Sequence, residues 1–204
     1  MNRVVTIFII CLLGFIPFDS IAQERTKKID RIINKQIAKV WRDQAIIQTP
    51  INTSLDIEFD LFFADNELHR LDEAESTVGF LLLRRGFGCK IGGCGGAGDQ
   101  GEGQICSADG NAYEYFDYII LFDNDLSILK IAVVDYPGDY GYEITSKGWL
   151  KQFNGYKGAK MRYGKEVDAI SGATISANSL TKDVVDVYKM MSYFIIEKSL
   201  VAVK

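Results

Sequence analysis

The feature that most constrains the fold of this chain is a pair of apolar segments joined by a short polar turn. The first segment is Tyr115–Phe122, the second is Ile128–Tyr136, and Asp123, Asn124 and Asp125 lie between them. Aromatic and β-branched residues favour strands, whereas Asp and Asn favour tight turns. The pattern therefore predicts a β-hairpin.

Amphipathic helices are predicted on both sides of this hairpin along the chain. Apolar residues recur at three- and four-residue steps over about 25–42 and again over about 176–194, which is the spacing of one helix face. The run Val78–Leu83 predicts a buried strand, and 62–71 has helical spacing. Together these elements predict an α+β fold, an antiparallel sheet with packed helices. The apolar face of the second helix consists of Ala177, Leu180, Val184, Val187, Met191 and Phe194.

The first residues of the chain have the pattern of a secretory signal peptide. Arg3 precedes the apolar run Val4–Ile16, and the small residues Ser20 and Ala22 follow that run. The run is shorter than the roughly 20 residues that a membrane-spanning helix needs. We therefore expect cleavage after Ala22 and export to the periplasm or cell envelope. An uncleaved amino-terminal anchor is the alternative.

Charge and length limit the classes of partner and the number of domains. The formal net charge is −4 and the charged residues are dispersed, which argues against nucleic acid as a partner. About 180 residues would remain after cleavage, which suits one domain. We predict a signal peptide over 1–22, an amino-terminal helical extension over 23–76, and the main domain over 77–204.

Three cysteines would remain in the exported chain, namely Cys89, Cys94 and Cys106. They lie in a glycine-rich segment that we predict as a loop insertion over 86–106. In an oxidising compartment a disulfide is the default, and a bond from Cys106 to Cys89 or to Cys94 would close this loop. A redox-active disulfide that exchanges electrons with a cofactor is an alternative interpretation of these cysteines. A metal or iron–sulfur site would need more ligands at closer spacing, so no metal site is predicted.

The segment Asp168–Thr174 has the sequence Asp-Ala-Ile-Ser-Gly-Ala-Thr and directly precedes the second predicted helix. The first turn of a helix presents unpaired N–H groups and the positive end of the helix dipole, so a phosphate there is stabilised without Lys or Arg. Gly172 and Ala173 leave room for a bulky group, and Gly172 can adopt a backbone conformation closed to other residues. Thr174 places a hydroxyl in this field, where a phosphate ester would be stabilised.

This segment resembles the flavinylation motif of the FMN-binding domain family, Asp-x-x-Ser/Thr-Gly-Ala-Thr/Ser. The family includes the C subunit of the sodium-pumping NADH:quinone reductase, the G subunit of the Rnf complex and many small exported proteins. The resemblance implies that Thr174 carries FMN through a phosphoester, which a separate FAD:protein FMN transferase installs. It also implies that Asp168 belongs to the motif that the transferase recognises, and that Ser171, Gly172 and Ala173 contact or shape the phosphate region.

The resemblance covers about 77–192 and implies an FMN-binding-domain-like fold. In the family, a hairpin precedes a Gly-x-Glu-Ile segment and a helix rich in Trp and Phe, and this chain has the same order. By this resemblance Tyr142 and Glu143 lie near the flavin, and Tyr142 or Trp149 could stack on its ring. The chain departs from the family pattern at Tyr136–Asp139, where many relatives have Glu-Thr-Pro-Gly.

The function implied by the resemblance is that of an electron carrier, with no catalytic residues of its own for a small substrate. Such a protein would pass electrons between a membrane respiratory component and another redox partner. Two alternatives remain open from the residues alone. One is a binding or structural module outside the cytoplasm that never receives flavin, and the other is a thiol–disulfide exchange protein that uses the three cysteines.

Overall fold

The computed structural model of the protein describes residues 18–42, 44–52, 66–90, 104–106 and 112–197. Its centre is a six-stranded sheet in which all neighbouring strands are antiparallel. The strands are β1 (Ile46–Pro50), β2 (Glu67–Glu73), β3 (Ser76–Lys90), β4 (Gln104–Cys106), β5 (Ala112–Asp123) and β6 (Ile128–Asp135). The helices are α1 (Phe18–Trp41), the short α2 (Lys147–Leu150) and α3 (Thr174–Met191), with 3₁₀ turns at Tyr142–Thr145 and Lys151–Phe153 and a π-helix at Ser192–Glu197.

The predicted hairpin is confirmed as β5 and β6. Ile120 lies opposite Ile131 in its register. The Asp123 carboxylate holds the turn, because it accepts hydrogen bonds from the backbone N–H groups of Asp125 and Ser127 at 3.0 and 2.7 Å. β3 pairs with one edge of β5, while β4 and β6 share the other edge, so β5 is the central strand of the sheet.

One face of the sheet packs against α3 and the segments around α2. Leu82, Tyr118 and Ile120 of the sheet and Leu180 and Val184 of α3 are fully buried in this cluster. The predicted apolar face of α3 and its contact with the hairpin sheet are therefore confirmed. This packing fixes the first turn of α3 relative to the ends of β3 and β5.

The helix α1 covers the opposite face of the sheet. Ile29, Ile33 and Ile37 are spaced four residues apart and pack against a cluster that includes Leu81 and Ile119. Burial on both faces explains why β3 and β5 contain unbroken apolar runs instead of alternating polar and apolar residues. Each such side chain contributes about 1.5–3 kcal/mol when it is fully buried, so α1 is part of the core.

The predicted helical extension before residue 77 is wrong in part, because β1 and β2 belong to the sheet. The helical spacing over 62–71 includes Leu68 and Leu71, which lie three residues apart. In β2 these two side chains enter opposite clusters, Leu68 on the α3 face and Leu71 on the α1 face. A strand buried on both faces can imitate helical spacing, since no polar alternation marks it. Residues 53–65 lie outside the described residues.

The glycine-rich insertion begins later than predicted, because β3 continues to Lys90. Gly86 is a strand residue, and a Cβ on it would lie 2.5 Å from the Phe116 ring. The register places Tyr113 of β5 between Lys90 and Ile105, the chain neighbours of Cys89 and Cys106. The Cα atoms of the two cysteines are therefore separated by two strand spacings, or ~10 Å. A disulfide needs a shorter separation. Cys94 and the cysteine side chains lie outside the described part of the chain.

The amino-terminal prediction is only partly covered. Residues 1–17 lie outside the described residues, and α1 begins at Phe18. None of the helices in the described ranges has the length and hydrophobicity that a bilayer-spanning segment needs.

Candidate functional site

The first turn of α3 is open at the protein surface. Ala173 is its N-cap and is fully buried, whereas Thr174, the first helical residue, is exposed. The Ala177 N–H donates to the Ala173 carbonyl oxygen at 2.8 Å, so the N–H groups of Thr174 and Ile175 precede the first bond within the helix. No acidic residue lies in this turn. The helix itself therefore places no carboxylate against an anion at its positive end.

The turn before the helix requires glycine. Gly172 has φ +85°, in the left-handed region that other residues rarely adopt. A Cβ at this position would lie 2.6 Å from Oε1 of Glu143 and 2.9 Å from its Cδ. The Glu143 side chain therefore lies directly against the Ser171–Gly172 turn. The two predicted site segments, which are far apart in the sequence, meet at this contact.

Glu143 and Tyr142 lie in the 3₁₀ turn that faces the start of α3. Glu143 is half-buried, and its Oε2 has no hydrogen-bond partner among the described residues. A buried carboxylate oxygen without a partner is unfavourable unless a ligand or solvent satisfies it. Tyr142 is 58 % exposed. This segment thus presents a hydrogen-bond acceptor beside the Gly172 turn and an exposed aromatic ring next to that acceptor in the chain.

The loop that leads to Thr174 is anchored by side chains of the α2 segment. Trp149 Nε1 donates to the Asp168 carbonyl oxygen at 2.8 Å, and the Asp168 N–H donates to Gln152 Oε1 at 2.8 Å. Trp149 is buried, and its ring packs edge-on against Phe153 at 5.3 Å. The prediction that Trp149 could stack on a flavin is therefore wrong, because its ring belongs to the core. The Asp168 side chain is exposed.

A second set of contacts, which sequence analysis missed, fixes the segment before Tyr142. The Tyr136 hydroxyl lies 3.1 Å from Ser176 Oγ and donates to the Tyr140 carbonyl oxygen. Gly141 has φ +86°, and a Cβ there would lie 2.5 Å from Ser176 Oγ. The signal that could have revealed this contact is the departure of the chain from the family pattern at Tyr136.

Glu114 also holds the segment before Tyr142 through hydrogen bonds. Its carboxylate accepts hydrogen bonds from the N–H groups of Asp139 and Tyr140 at 3.2 and 3.3 Å. A Cβ on Gly138 would lie 2.4 Å from Glu114 Oε2, so the chain passes directly over the carboxylate. Burial raises the pKa of Glu114 above its ordinary 4.5, and the two N–H bonds oppose that rise.

The helix α3 is fixed to the sheet by a polar contact in the core. Asp183 Oδ2 accepts hydrogen bonds from Arg84 Nε at 2.7 Å and from the Tyr118 hydroxyl at 2.5 Å. Burial, and then the charge of Asp183, raise the pKa of Tyr118 well above 10. Burial opposes the charged form of Arg84, but the hydrogen bond to Asp183, the charge of Asp183 and the smaller contributions of Tyr118 together raise the pKa of the guanidinium. These contacts hold the middle of α3 on the sheet.

The two predicted cofactor segments therefore meet at the contact of Glu143 with Gly172. They are Asp168, Ser171, Gly172, Ala173 and Thr174 on the loop and helix start, and Tyr142 and Glu143 on the facing turn. Tyr140 and Ile175, which the sequence did not indicate as site residues, are also exposed, with 53 % and 39 % of their surface accessible. Within the described ranges, no group of three or more His, Cys, Asp or Glu side chains could hold a metal ion.

Comparison with known protein families gives a match for the part of the chain that contains Thr174. Residues 116–189 match the family described as FMN-binding domain. This part of the chain is an FMN-binding domain. Comparison with curated proteins gives no significant match.

The family match covers the part of the fold that builds the candidate site. It begins in β5 at Phe116 and ends in α3 at Lys189, so it includes β6, the 3₁₀ turn at Tyr142 and the loop before Thr174. The strands β1 to β4, the first four residues of β5 and the helix α1 lie outside it. The match supports FMN as the cofactor and indicates a flavoprotein with an electron-transfer role.

Proposed function

We propose that the protein is an exported electron carrier that holds FMN through a phosphoester to Thr174. The observation that carries this proposal is the position of Thr174, an exposed hydroxyl on the first residue of α3, beside the glycine turn at Gly172. A threonine in the core or in the middle of a helix would offer neither access nor open N–H groups. When bound, FMN supplies the electron transfer, and the protein sets its position and environment.

The residues around Thr174 fit a phosphate and a flavin in different ways. The N–H groups at the start of α3 would bind the phosphate, and Gly172 lets the preceding turn lie directly against Glu143. The buried Oε2 of Glu143 would accept a hydrogen bond from a hydroxyl of the ribityl chain. Tyr142 and Ile175 provide exposed apolar surface that the ring would cover.

In this proposal, attachment is a phosphoryl exchange catalysed by the FAD:protein FMN transferase. A bond forms between Thr174 Oγ1 and the FMN phosphorus of FAD, the pyrophosphate bond of FAD breaks, and AMP leaves. The hydroxyl proton passes to a base or to solvent. No electrons are exchanged, so the reaction needs only FAD, the transferase and its divalent metal. The exposure of Thr174 supports the proposal, because another protein must reach this hydroxyl.

Export to the periplasm or cell envelope rests on the predicted signal peptide over 1–22. A covalent bond suits that location, because flavin lost outside the cytoplasm would not be replaced. We propose that the protein passes electrons between a membrane respiratory component and another redox protein. If the signal segment is retained, it would anchor the domain at the membrane.

Co-expression with the transferase tests the proposal. Mature protein made with the transferase should be yellow and heavier by the mass of FMN minus one water, and protein made without it should be colourless and unmodified. Thr174→Ala should remain unmodified, whereas Thr174→Ser should be modified, because serine keeps the hydroxyl. Thermal unfolding of both variants checks that neither has lost the fold.

Two results would contradict the proposal. Covalent flavin retained by Thr174→Ala would place the ester elsewhere. Colourless, unmodified protein purified from its native cell envelope would instead favour a binding or structural module that keeps this fold without flavin.

A further inference from the structure

A groove of about 430 Å³ lies along the outer side of the sheet, at β6 and away from β3. Residues 129–133 of β6 form its floor, α1 forms one wall, and the segment from Thr145 to Asn154 forms the other wall. The two walls belong to the two faces of the sheet, because α1 packs on one face and α2 on the other. The groove is therefore a channel along a strand edge and not a hole in the core.

The groove concentrates positive charge in an acidic protein. It is lined by Lys39 of α1, Lys130 of β6, and Lys147 and Lys151 of the opposite wall, and none of its lining residues is Asp or Glu. Among the described residues, no carboxylate forms an ion pair with these four lysines. Burial and the three neighbouring ammonium groups lower the pKa of Lys130. The formal net charge of the whole chain is −4, so the groove has the opposite sign.

The strand at the bottom of the groove has one open edge in the described part of the chain. β6 pairs with β5 on one side. On the other side Ile128 is covered, since its N–H donates to the Tyr156 carbonyl at 3.1 Å and its carbonyl accepts from the Gly155 N–H at 2.7 Å. Residues 129–133 form no such main-chain bond on this side with the other described residues. Alternate N–H and C=O groups of this part of an edge strand face outward.

We propose that this groove binds an acidic, extended segment of a partner protein, which adds as a further strand to the open edge of β6. An added strand forms main-chain hydrogen bonds with the edge and points alternate side chains to the two faces of the sheet. Lys39 lies on one wall, and Lys147 and Lys151 lie on the other. Acidic side chains on either face of the added strand would therefore meet an ammonium group. The site does not depend on flavin.

Two other occupants fit these observations less well. A small anion would use the ammonium groups but has no need of an open strand edge between two charged walls. A second copy of this chain would bring four more lysines to the same groove, and like charges at close range repel. The combination of charge on both walls with an open edge favours an acidic polypeptide.

Fluorescence anisotropy with a labelled peptide tests the proposal. The probe is a peptide about as long as β6, of Glu, Thr and Val, with glutamates on both faces of its extended chain. Lys39→Gln, Lys147→Gln and Lys151→Gln combined should weaken binding about tenfold, because three ion pairs are lost. A matched control removes the same charge elsewhere with Lys160→Gln, Lys165→Gln and Lys189→Gln. The control should change the affinity less than about twofold.

A second probe tests strand addition itself. The same peptide N-methylated at alternate residues keeps its charge but loses N–H donors, and it should bind about tenfold more weakly. Equal binding of the methylated peptide, equal loss in both lysine variants, or no binding at millimolar peptide would overturn the proposal. Inorganic pyrophosphate that competes better than unlabelled peptide would indicate a small-anion site, and a dimer that excludes the peptide would indicate a second copy. Either result would overturn it as well.

Discussion

Replacement of Gly172 by alanine tests how closely the loop before α3 is fitted to the facing turn. Gly172 has φ +85°, where a side chain costs about 1–2 kcal/mol. The new Cβ would lie 2.6 Å from Glu143 Oε1, well inside the 3.4 Å at which ordinary contact begins. The carboxylate is the end of a flexible side chain, so it can leave its rotamer at a further cost of about 0.5–1.5 kcal/mol. We expect Gly172→Ala to lower the free energy of unfolding by about 2–3 kcal/mol.

The chain offers a matched control at Gly155. This residue has φ +80°, but a Cβ there would meet nothing within 4 Å. Gly155→Ala should therefore lower the free energy of unfolding only by the cost of the left-handed backbone conformation, about 1–2 kcal/mol. Urea unfolding followed by tryptophan fluorescence measures both values. Combining Gly172→Ala with Glu143→Ala removes the clash, so the double-mutant cycle should show a coupling of about 0.5–1.5 kcal/mol between the two positions.

The same variants can refute the reasoning about the site. Equal losses in Gly172→Ala and Gly155→Ala, together with no coupling to Glu143, would mean that the carboxylate does not lie against the turn. When each is co-expressed with the transferase, Gly172→Ala should load less flavin, because Glu143 is displaced beside Thr174. Gly155→Ala should load as much as the unchanged protein.

Two further predictions follow from the charged side chains. Asp183→Asn should lower the free energy of unfolding by about 3 kcal/mol, since Asp183 accepts the largely buried hydrogen bonds from Arg84 and Tyr118. The control Asp186→Asn, in an exposed ion pair on the same helix, should change it by less than about 0.5 kcal/mol. Urea unfolding measures both values, and equal losses would contradict the buried role of Asp183. Carboxyl NMR titration should give Glu166 a pKa of about 2, because it is bonded to Arg162, and Glu114 a pKa above 4.5, because it is buried. Because folding lowers the pKa of Glu166, the stability that it contributes is present above pH 4.5 and is lost as the pH falls toward about 2. Because folding raises the pKa of Glu114, the stability that it contributes is present below pH 4.5 and is lost as the pH rises through its folded pKa. Arg162→Gln should return the pKa of Glu166 toward 4.5 and leave that of Glu114 unchanged.

Elements with a strong local pattern could be predicted from the sequence. The hairpin was predictable because its turn chemistry at Asp123 and its β-branched strands agree. The apolar face of α3 was predictable because one face is buried and the other is solvated, which produces a clear helical period. The start of α3 was predictable to within two residues, since the helix was expected from about 176 and begins at Thr174, directly after the glycine turn.

Features that depend on long-range packing could not be predicted in the same way. β2 has no polar alternation because Leu68 and Leu71 are buried on opposite faces. The contact of Tyr136 with Ser176 joins positions 40 residues apart, and neither residue type indicates such a partner. Trp149 looked like a candidate for stacking because local sequence does not reveal that its ring is enclosed by the core.

The most direct test of the central claim is to locate the flavin on the chain. Mature protein from the native envelope, or made with the transferase, would be digested, and the peptide that contains residues 168–174 would be fragmented by a method that preserves phosphoesters. We predict the mass of FMN minus one water on Thr174 and on no other residue. The same mass on Ser171 or Ser176, or an unmodified Thr174 in yellow protein, would contradict the claim.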